Sequence, residues 1–147
     1  MFLAQGAKVA ILDLQVPPSQ GQDELILVLT GDAADEATVD NSVPETVARH
    51  GRLDIMVNNA GVIGVTPVVE MESAEWKRVT EINLHSVFLG ARAAARQMIR
   101  QGHGGCIINA SSGAGRRGSP NLAHYCASKA AVIMLTQSLA SGSHRHR

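Results

Sequence analysis

The stretch "LDIMVNNAG", residues 53–61, is the part of the sequence that decides the fold. It begins as a short apolar run and ends in a polar turn closed by glycine. Short apolar runs bounded by turn residues are typical of buried strands in a parallel sheet. The stretch therefore predicts a buried strand whose carboxyl end carries small and polar residues.

The same pattern occurs three more times along the chain. Apolar runs lie at residues 7–14, 24–29 and 104–112, and helical patterns cover residues 35–51, about 73–102 and about 123–140. Strands that alternate with helices at this spacing indicate βαβ units. We therefore predict an α/β fold, with helices packed on a parallel sheet.

Single residues inside the helical patterns carry further expectations. Pro44 lacks a backbone donor, so we expect a kink or a break in the first helix. Ser73 is the expected N-cap of the longest helix, whose apolar stripe runs from Trp76 to Met98. Asn83 lies beside that stripe. A buried amide without a hydrogen bond costs roughly 1–3 kcal/mol, so Asn83 should either bond the backbone or serve a site.

Composition narrows the class of protein. The chain has 147 residues, 45% of them hydrophobic, and a formal net charge of zero. This balance argues against a nucleic-acid or membrane-surface partner, and no apolar run reaches the roughly 18 residues of a membrane span. Cys106 and Cys126 show no metal-ligand spacing, so we predict no metal site and two buried thiols in a reducing compartment. With no secretory signal visible, we expect a cytoplasmic protein.

Each predicted strand ends in small or polar residues. These ends are Asp13, Asp32, the NNAG turn at 58–61 and the Ser111–Ser112 pair. In open α/β sheets, ligands bind beyond the carboxyl ends of the strands. Four strand ends therefore point to one ligand-binding crevice.

A possible proton-transfer pair lies in "AHYCASKAAV", residues 123–132. Tyr125 precedes Lys129 by four residues, which places both side chains on one helix face. A free phenol has a pKa near 10, and a nearby ammonium favours its ionised form. Taken alone, such a pair is more often two helix residues without a catalytic role. Ser112, taken alone, is more often a serine that stabilises a turn. Asp13 is equally consistent with a turn residue and with a ligand of a ribose.

In combination, these residues resemble the short-chain dehydrogenase/reductase family, whose members have a Rossmann-like parallel sheet with helices on both faces. The resemblance rests on "NNAG" at 58–61, "EINL" around Asn83, "IINASS" at 107–112 and "YCASK" at 125–129, in the family's order. It implies that Tyr125 is the general acid/base, that Lys129 lowers the pKa of the tyrosine and holds the nicotinamide ribose, and that Ser112 orients the substrate oxygen. Asn83 would support a water that leads protons to Lys129.

The resemblance also implies a cofactor and a substrate class. Asp13 implies NAD rather than NADP, with Asp32 and Ala33 beside the adenine and Asn59, Ala60 and Gly61 against the cofactor. The substrate would be a small secondary alcohol or ketone, as in the polyol and diol dehydrogenases of the sorbitol and butanediol type. A 3-oxoacyl-carrier-protein reductase is the alternative enzyme, although Asp13 counts against it. The family further implies a homo-oligomer, a dimer or a tetramer.

The chain also departs from the family pattern. No TGxxxGxG phosphate loop is present, and "SGSHRHR" follows the last helix. We therefore expect a partial domain over residues 1–140, without the family's first strand and last strands, and a disordered polar tail at 141–147. An altered translation start with a frameshift, or a truncated gene model, would give this arrangement. Because the absent strand is central in the family's sheet, its neighbours should have unpaired edges. A non-catalytic remnant or interaction fragment is the second hypothesis.

Overall fold

The structure of the chain is a computed structural model that describes residues 2–15 and 24–142. Its strands are β1 (Val9–Asp13), β2 (Ile26–Thr30), β3 (Ile55–Asn58) and β4 (Cys106–Asn109). Its α-helices are α1 (Glu36–His50), α2 (Ser73–Thr80), α3 (Ser86–Gln101) and α4 (Ala123–Gly142). A π-helical turn, Glu81–His85, joins α2 to α3, and short 3₁₀ turns cover Leu3–Gln5, Val68–Glu70 and Gly113–Gly115. Alternating strands and helices confirm the predicted α/β class.

The four described strands form two separate parallel pairs. β1 pairs with β2 from Val9↔Ile26 onward, and β3 pairs with β4 from Ile55↔Cys106 onward. Among the described strands, β1 and β3 are not hydrogen-bonded to each other. The two pairs therefore have the unpaired inner edges that were expected for the neighbours of an absent central strand.

One layer of helices joins the two sheets. Its buried core comes from α1, α3 and the start of β3, and consists of Val39, Val43, Leu53, Leu89, Ala93, Ala94 and Met98. Leu12 of β1, Met56 of β3 and Ile107 of β4 pack against this cluster. The two sheets thus share a single core, although among residues 2–15 and 24–142 no backbone hydrogen bond connects their strands.

The opposite face of the β3–β4 sheet is open. Side chains alternate along a strand, so Ile55 and Val57 of β3 lie on the face away from Met56. These two residues and Ile108 of β4 are each about half exposed. The helices that the structure describes therefore cover only one face of this sheet.

Helix α1 runs through Pro44 without interruption, so a break at that position is wrong. Val43 and Thr46 on either side of the proline are buried, and the Thr46 hydroxyl donates to the carbonyl of Ser42 at 2.7 Å. Proline removes one backbone hydrogen bond, which burial of the neighbouring face offsets. The helix ends at Gly51, whose φ of 93° is the left-handed geometry of a C-cap.

Three smaller expectations also differ from the structure. Glu72, not Ser73, is the N-cap of α2, and no side chain caps that helix. Trp76 is 43% exposed rather than buried, because only Val79 of α2 reaches the core. Cys106 is exposed at the open face of β4 and Cys126 is half-buried; both are free thiols.

The last helix and the ends of the chain complete the description. Helix α4 extends to Gly142, two residues beyond the expected end at 140. The expected disordered tail otherwise lies outside the described residues. Across the described ranges, no helix is long and apolar enough to span a membrane.

Helix α3 approaches β3 closely at Gly90. A Cβ atom at Gly90 would overlap the side-chain amide of Asn58. That amide donates to Oδ1 of Asn109 at 2.8 Å, and the Asn109 amide in turn donates to the Thr136 hydroxyl at 3.0 Å. The glycine therefore makes room for a polar ladder that joins β3, β4 and α4.

We predict that Gly90→Ala destabilises the chain by about 1–3 kcal/mol in urea unfolding, because the added methyl displaces the Asn58 amide. Helix propensity alone predicts the opposite sign, a gain of about 1 kcal/mol. The double variant Gly90→Ala/Asn58→Ala should be more stable than the sum of the single effects. Additive effects would show that the close approach is not a constraint.

Candidate active site

Lys129 is a buried lysine on helix α4. The residue is 5% exposed, and its Nζ donates to the carbonyl oxygen of Ala110, just beyond β4, at 2.9 Å. Burial disfavours the ammonium form and lowers the pKa of Lys129 from its ordinary value of 10.5. A lysine of this kind is a positively charged group held at the carboxyl end of a strand.

Tyr125 lies one helical turn before Lys129 on the same face. The Lys129 Nζ is 5.9 Å from the centre of the phenol ring, and Tyr125 is half-buried. The predicted stacking of the two side chains is therefore confirmed.

The loop after β4 fixes the backbone of α4 at Lys129. The hydroxyl of Ser111 donates to the carbonyl of Lys129 at 2.7 Å. Gly115 lies so close that a Cβ atom there would overlap the backbone of Lys129 and Ala130. The turn between them starts at Ser112, whose Oγ accepts from the backbone of Ala114 at 3.2 Å. Ser112 thus makes the turn contact that was one of its two expected uses, while its O–H remains able to donate.

Asn83 is fully buried within the π-helical turn. Its Oδ1 accepts from the backbone N–H of Val62 at 2.7 Å, and its Nδ2 donates to the carbonyl of the same residue at 2.9 Å. The Nδ2 also donates to the hydroxyl of Ser128 at 3.1 Å. Of the two expected uses of this amide, bonding the backbone is the one observed in the structure.

The NNAG turn reaches the same place. A Cβ atom at Gly61 would lie 3.3 Å from Oδ1 of Asn83 and 3.4 Å from Nζ of Lys129. Asn59 and Ala60, just before it, are exposed. The structure thus brings the NNAG turn, Asn83 and Lys129 together, and it places Tyr125 beside them.

The predicted cofactor residues on the other sheet form a second group. The ends of β1 and β2 meet where Gly31 donates to the carbonyl of Asp13 at 3.0 Å. The carboxylate of Asp13 accepts from the backbone of Gln15 at 3.2 Å, and that of Asp32 accepts from Ala34 at 2.8 Å. Both aspartates are exposed, and Ala33, the residue after Asp32, is half-buried. Within the described ranges, no hydrogen bond joins this group to Tyr125.

Three further buried or half-buried polar groups near the site were not predicted from the sequence: Ser128, Glu75 and His124. Ser128 is three residues after Tyr125, which places it on the inner side of α4 beside Asn83. His124 is fully buried next to the tyrosine and 3.2 Å from the carboxylate of Glu75. Ser128 could have been found from helical spacing, whereas the Glu75–His124 contact joins residues 49 positions apart and leaves no local signal.

A nicotinamide dinucleotide fits part of this arrangement. The backbone of Gly61 is exposed and lies close to the Lys129 ammonium. On the other sheet, the exposed Asp13 and Asp32 carboxylates each have one oxygen without a protein partner among the described residues. These groups suit the two ribose ends of such a cofactor. The chain holds no TGxxxGxG turn for the pyrophosphate between them.

The lowered pKa of Lys129 predicts how stability depends on pH. The unfolded chain binds a proton at this lysine up to about pH 10.5, and the folded chain releases it at a lower pH. The contribution of Lys129 to the free energy of unfolding is therefore greatest above its unfolded-state pKa. This contribution is lost as pH falls through the lower folded-state pKa. In a Tyr125→Phe background, the added change Lys129→Met should remove this pH dependence from urea unfolding curves. Parallel pH profiles with and without the lysine would contradict the burial of its charge.

Comparison with known proteins was made against families, curated proteins and solved structures. The family described as short chain dehydrogenase matches residues 1–147. Sorbitol dehydrogenase of Cereibacter sphaeroides is 39% identical over 99% of this chain, and galactitol 2-dehydrogenase of Agrobacterium fabrum is 36% identical over 99% of it. In both cases the match covers 58% of the relative.

The solved structures give the same picture. A short chain dehydrogenase from Mycobacterium smegmatis superposes with a TM-score of 0.89 at 37% identity, over 97% of this chain and 62% of that one. The Rossmann-like architecture implied by the motifs is thus confirmed, and the chain spans about three fifths of the length of the relatives it matches. This chain belongs to the short-chain dehydrogenase family of oxidoreductases.

Proposed function

We propose that the protein to which this chain belongs transfers a hydride between a small secondary alcohol or ketone and NAD(H), with Tyr125 as general acid/base. The observation that carries the proposal is the Lys129 ammonium, buried between Ala110 and the NNAG turn and 5.9 Å from the Tyr125 ring. A buried charge beside a titratable group in a polar cleft is characteristic of proton-transfer sites.

The residues divide the work as follows. Tyr125 takes the hydroxyl proton of an alcohol, or returns a proton to the oxygen of a ketone, while a bound nicotinamide would accept or donate the hydride at the same carbon. Lys129 stabilises the phenolate and lies where it can hold a ribose hydroxyl. The free O–H of Ser112 donates to the substrate oxygen. Asn83 supports a water that connects Lys129 to solvent.

We infer NAD rather than NADP from Asp13. A carboxylate at the end of β1 accepts hydrogen bonds from ribose hydroxyls and repels a 2′-phosphate. Asp32 and Ala33 would lie beside the adenine, and Asn59, Ala60 and Gly61 beside the rest of the cofactor. This preference counts against a 3-oxoacyl-carrier-protein reductase, the alternative enzyme.

The relatives support a polyol or diol as substrate, since two of them are named for sorbitol and galactitol. We further propose that the protein works in the cytoplasm as a homo-oligomer, a dimer or a tetramer, as the family resemblance implies. Neither a nucleic acid nor a membrane is among the proposed partners.

A second function remains a candidate because of the open sheet. Ile55, Val57 and Ile108 expose about half of their surface, and the inner edges of β1 and β3 are unpaired among the described strands. Such features favour association with another chain. On this hypothesis the chain is a non-catalytic fragment whose role is interaction.

Binding of NADH to the purified chain separates the two candidates. If the described groups hold the cofactor, we expect enhanced NADH fluorescence and a higher melting temperature at millimolar NADH. Tyr125→Phe should retain this binding within about twofold while losing turnover wherever turnover is measured. Absence of both signals at millimolar NADH would reject the enzymatic proposal for this chain.

Cofactor choice is tested at Asp13. We expect Asp13→Ser to weaken NADH binding by about tenfold and to bring NADPH binding to a similar level, because the substitution removes the charge that repels the 2′-phosphate. Asp54→Asn is the matched control, since Asp54 is exposed, pairs with Arg52 and precedes the amino end of β3 rather than following a carboxyl end. An unchanged ratio of NADH to NADPH affinity in Asp13→Ser would contradict the assignment.

A further inference from the structure

Residues 61–66 form an extended segment between the NNAG turn and α2. Along it, Val62, Gly64 and Thr66 are half-buried, whereas Ile63 and Val65 are exposed. Asn83 holds the near end through both backbone groups of Val62. Hydrogen bonds therefore fix the end of the segment next to Lys129. Its other end is Thr66.

Glu75 of α2 holds the far end. The hydroxyl of Thr66 lies 3.0 and 2.9 Å from the two carboxylate oxygens of Glu75. The backbone N–H of Thr66 donates to the carbonyl of Asn121, just before α4, at 2.8 Å. Thr66 is thus bonded both to α2 and to the approach to α4.

The same carboxylate contacts His124, the residue before Tyr125. His124 Nε2 lies 3.2 Å from Oε1 of Glu75, and because a carboxylate only accepts, Nε2 carries the proton. The histidine is fully buried, and its Nδ1 has no hydrogen-bond partner among the described residues. Glu75 is therefore the only hydrogen-bond partner of this imidazole in the part of the chain that the structure describes.

Gly64 shows that the segment is fitted to this pair. A Cβ atom at Gly64 would overlap both the carboxylate of Glu75 and the imidazole of His124. The backbone of Gly64 thus lies directly against these two side chains, with no space for a further atom. The segment and the residue before Tyr125 are therefore in direct contact at this point.

We propose that Thr66, Glu75 and His124 form a positioning cluster that orders the 61–66 segment and the first turn of α4 together, and so holds Tyr125 against Lys129. The proposal deepens the proposed function and rests on it for the role of Tyr125. The three residues of the cluster are positioning residues, because they act through the tyrosine.

The tyrosine can be observed directly. Tyr125 is the single tyrosine of the chain, so the ultraviolet absorbance change on phenol ionisation reports this residue alone. Removing the Glu75 carboxylate has two effects of opposite sign. Loss of a nearby negative charge makes phenolate form at lower pH, whereas loss of positioning moves the phenol away from Lys129 and makes it form at higher pH. The sign of the change therefore separates the two.

We expect Glu75→Ala to shift the titration of Tyr125 to higher pH by about half a unit, in the direction given by Lys129→Met but less far. Thr66→Val, which removes a hydroxyl without changing charge, should shift it the same way, and Thr66→Ser should restore it. Glu70→Gln is the control, because Glu70 is exposed and its carboxylate has no partner among the described residues. A shift to lower pH in Glu75→Ala, or none in Thr66→Val, would overturn the proposal.

Amide hydrogen exchange tests the coupling without the tyrosine. In Thr66→Val we expect about threefold to tenfold faster exchange at position 66 and at Cys126, whose amide bonds Leu122 at 2.8 Å in the first turn of α4. Exchange at Gly51, at the end of α1, should not change, which excludes general destabilisation. Faster exchange at position 66 alone would show that segment and helix are independent.

The Tyr125 titrations of the Lys129, Glu75 and Thr66 variants also distinguish failure of this proposal from failure of the proposed function. If Lys129→Met leaves the Tyr125 titration unchanged, the proton-transfer pair fails, whatever the cluster does. If Lys129→Met shifts it while Glu75→Ala and Thr66→Val do not, the pair stands and the cluster is not a positioning device.

Discussion

Lys129 is a buried lysine, 5% exposed, and a buried charge loses hydration that protein dipoles must replace. Only one hydrogen bond within the described residues does so, from Nζ to the carbonyl of Ala110 at 2.9 Å. This hydrogen bond forms only if the carboxyl end of β4 lies next to α4 at Lys129. It also needs the loop after β4 to pack closely against the helix. The Ser111 hydroxyl and the glycine at 115 meet those requirements.

The same constraint explains the dense polar bonding around the NNAG turn. A Cβ atom at Gly61 would lie 3.4 Å from Nζ of Lys129, so the backbone beside this lysine has to be held in place. Asn83 holds Val62 by bonding its backbone N–H and its carbonyl with the two ends of the side-chain amide. Asn83 lies within the π-helical turn, where its side chain is buried. Single π-helical turns are frequent at functional sites, and here the turn has a definite structural use.

Strand positions, helix positions and the Tyr125–Lys129 pair were predictable from sequence because each depends on local periodicity. Proline at 44 and tryptophan at 76 were misjudged for a shared reason: tertiary packing decided both outcomes, and a local rule cannot weigh it. Burial of Val43 maintained the helix through the proline, while α2 met the core only at Val79 and left the tryptophan outside. The contact of Glu75 with His124 was beyond prediction, since it joins two helices far apart in sequence.

In the part of the chain that the structure describes, packed helices rather than a shared strand join the two sheets, which bears on ligand binding. The aspartates at 13 and 32 belong to the β1–β2 sheet, whereas Tyr125 and Lys129 lie against β4 of the other sheet. Side chains make the contacts between the two sheets. Leu12 of β1 packs against the shared core, and Arg92 of α3 forms an ion pair with Glu36 of α1 at 2.6 Å. A dinucleotide that touched both groups would therefore contact two sheets that side-chain packing, rather than a shared strand, holds together among the described residues.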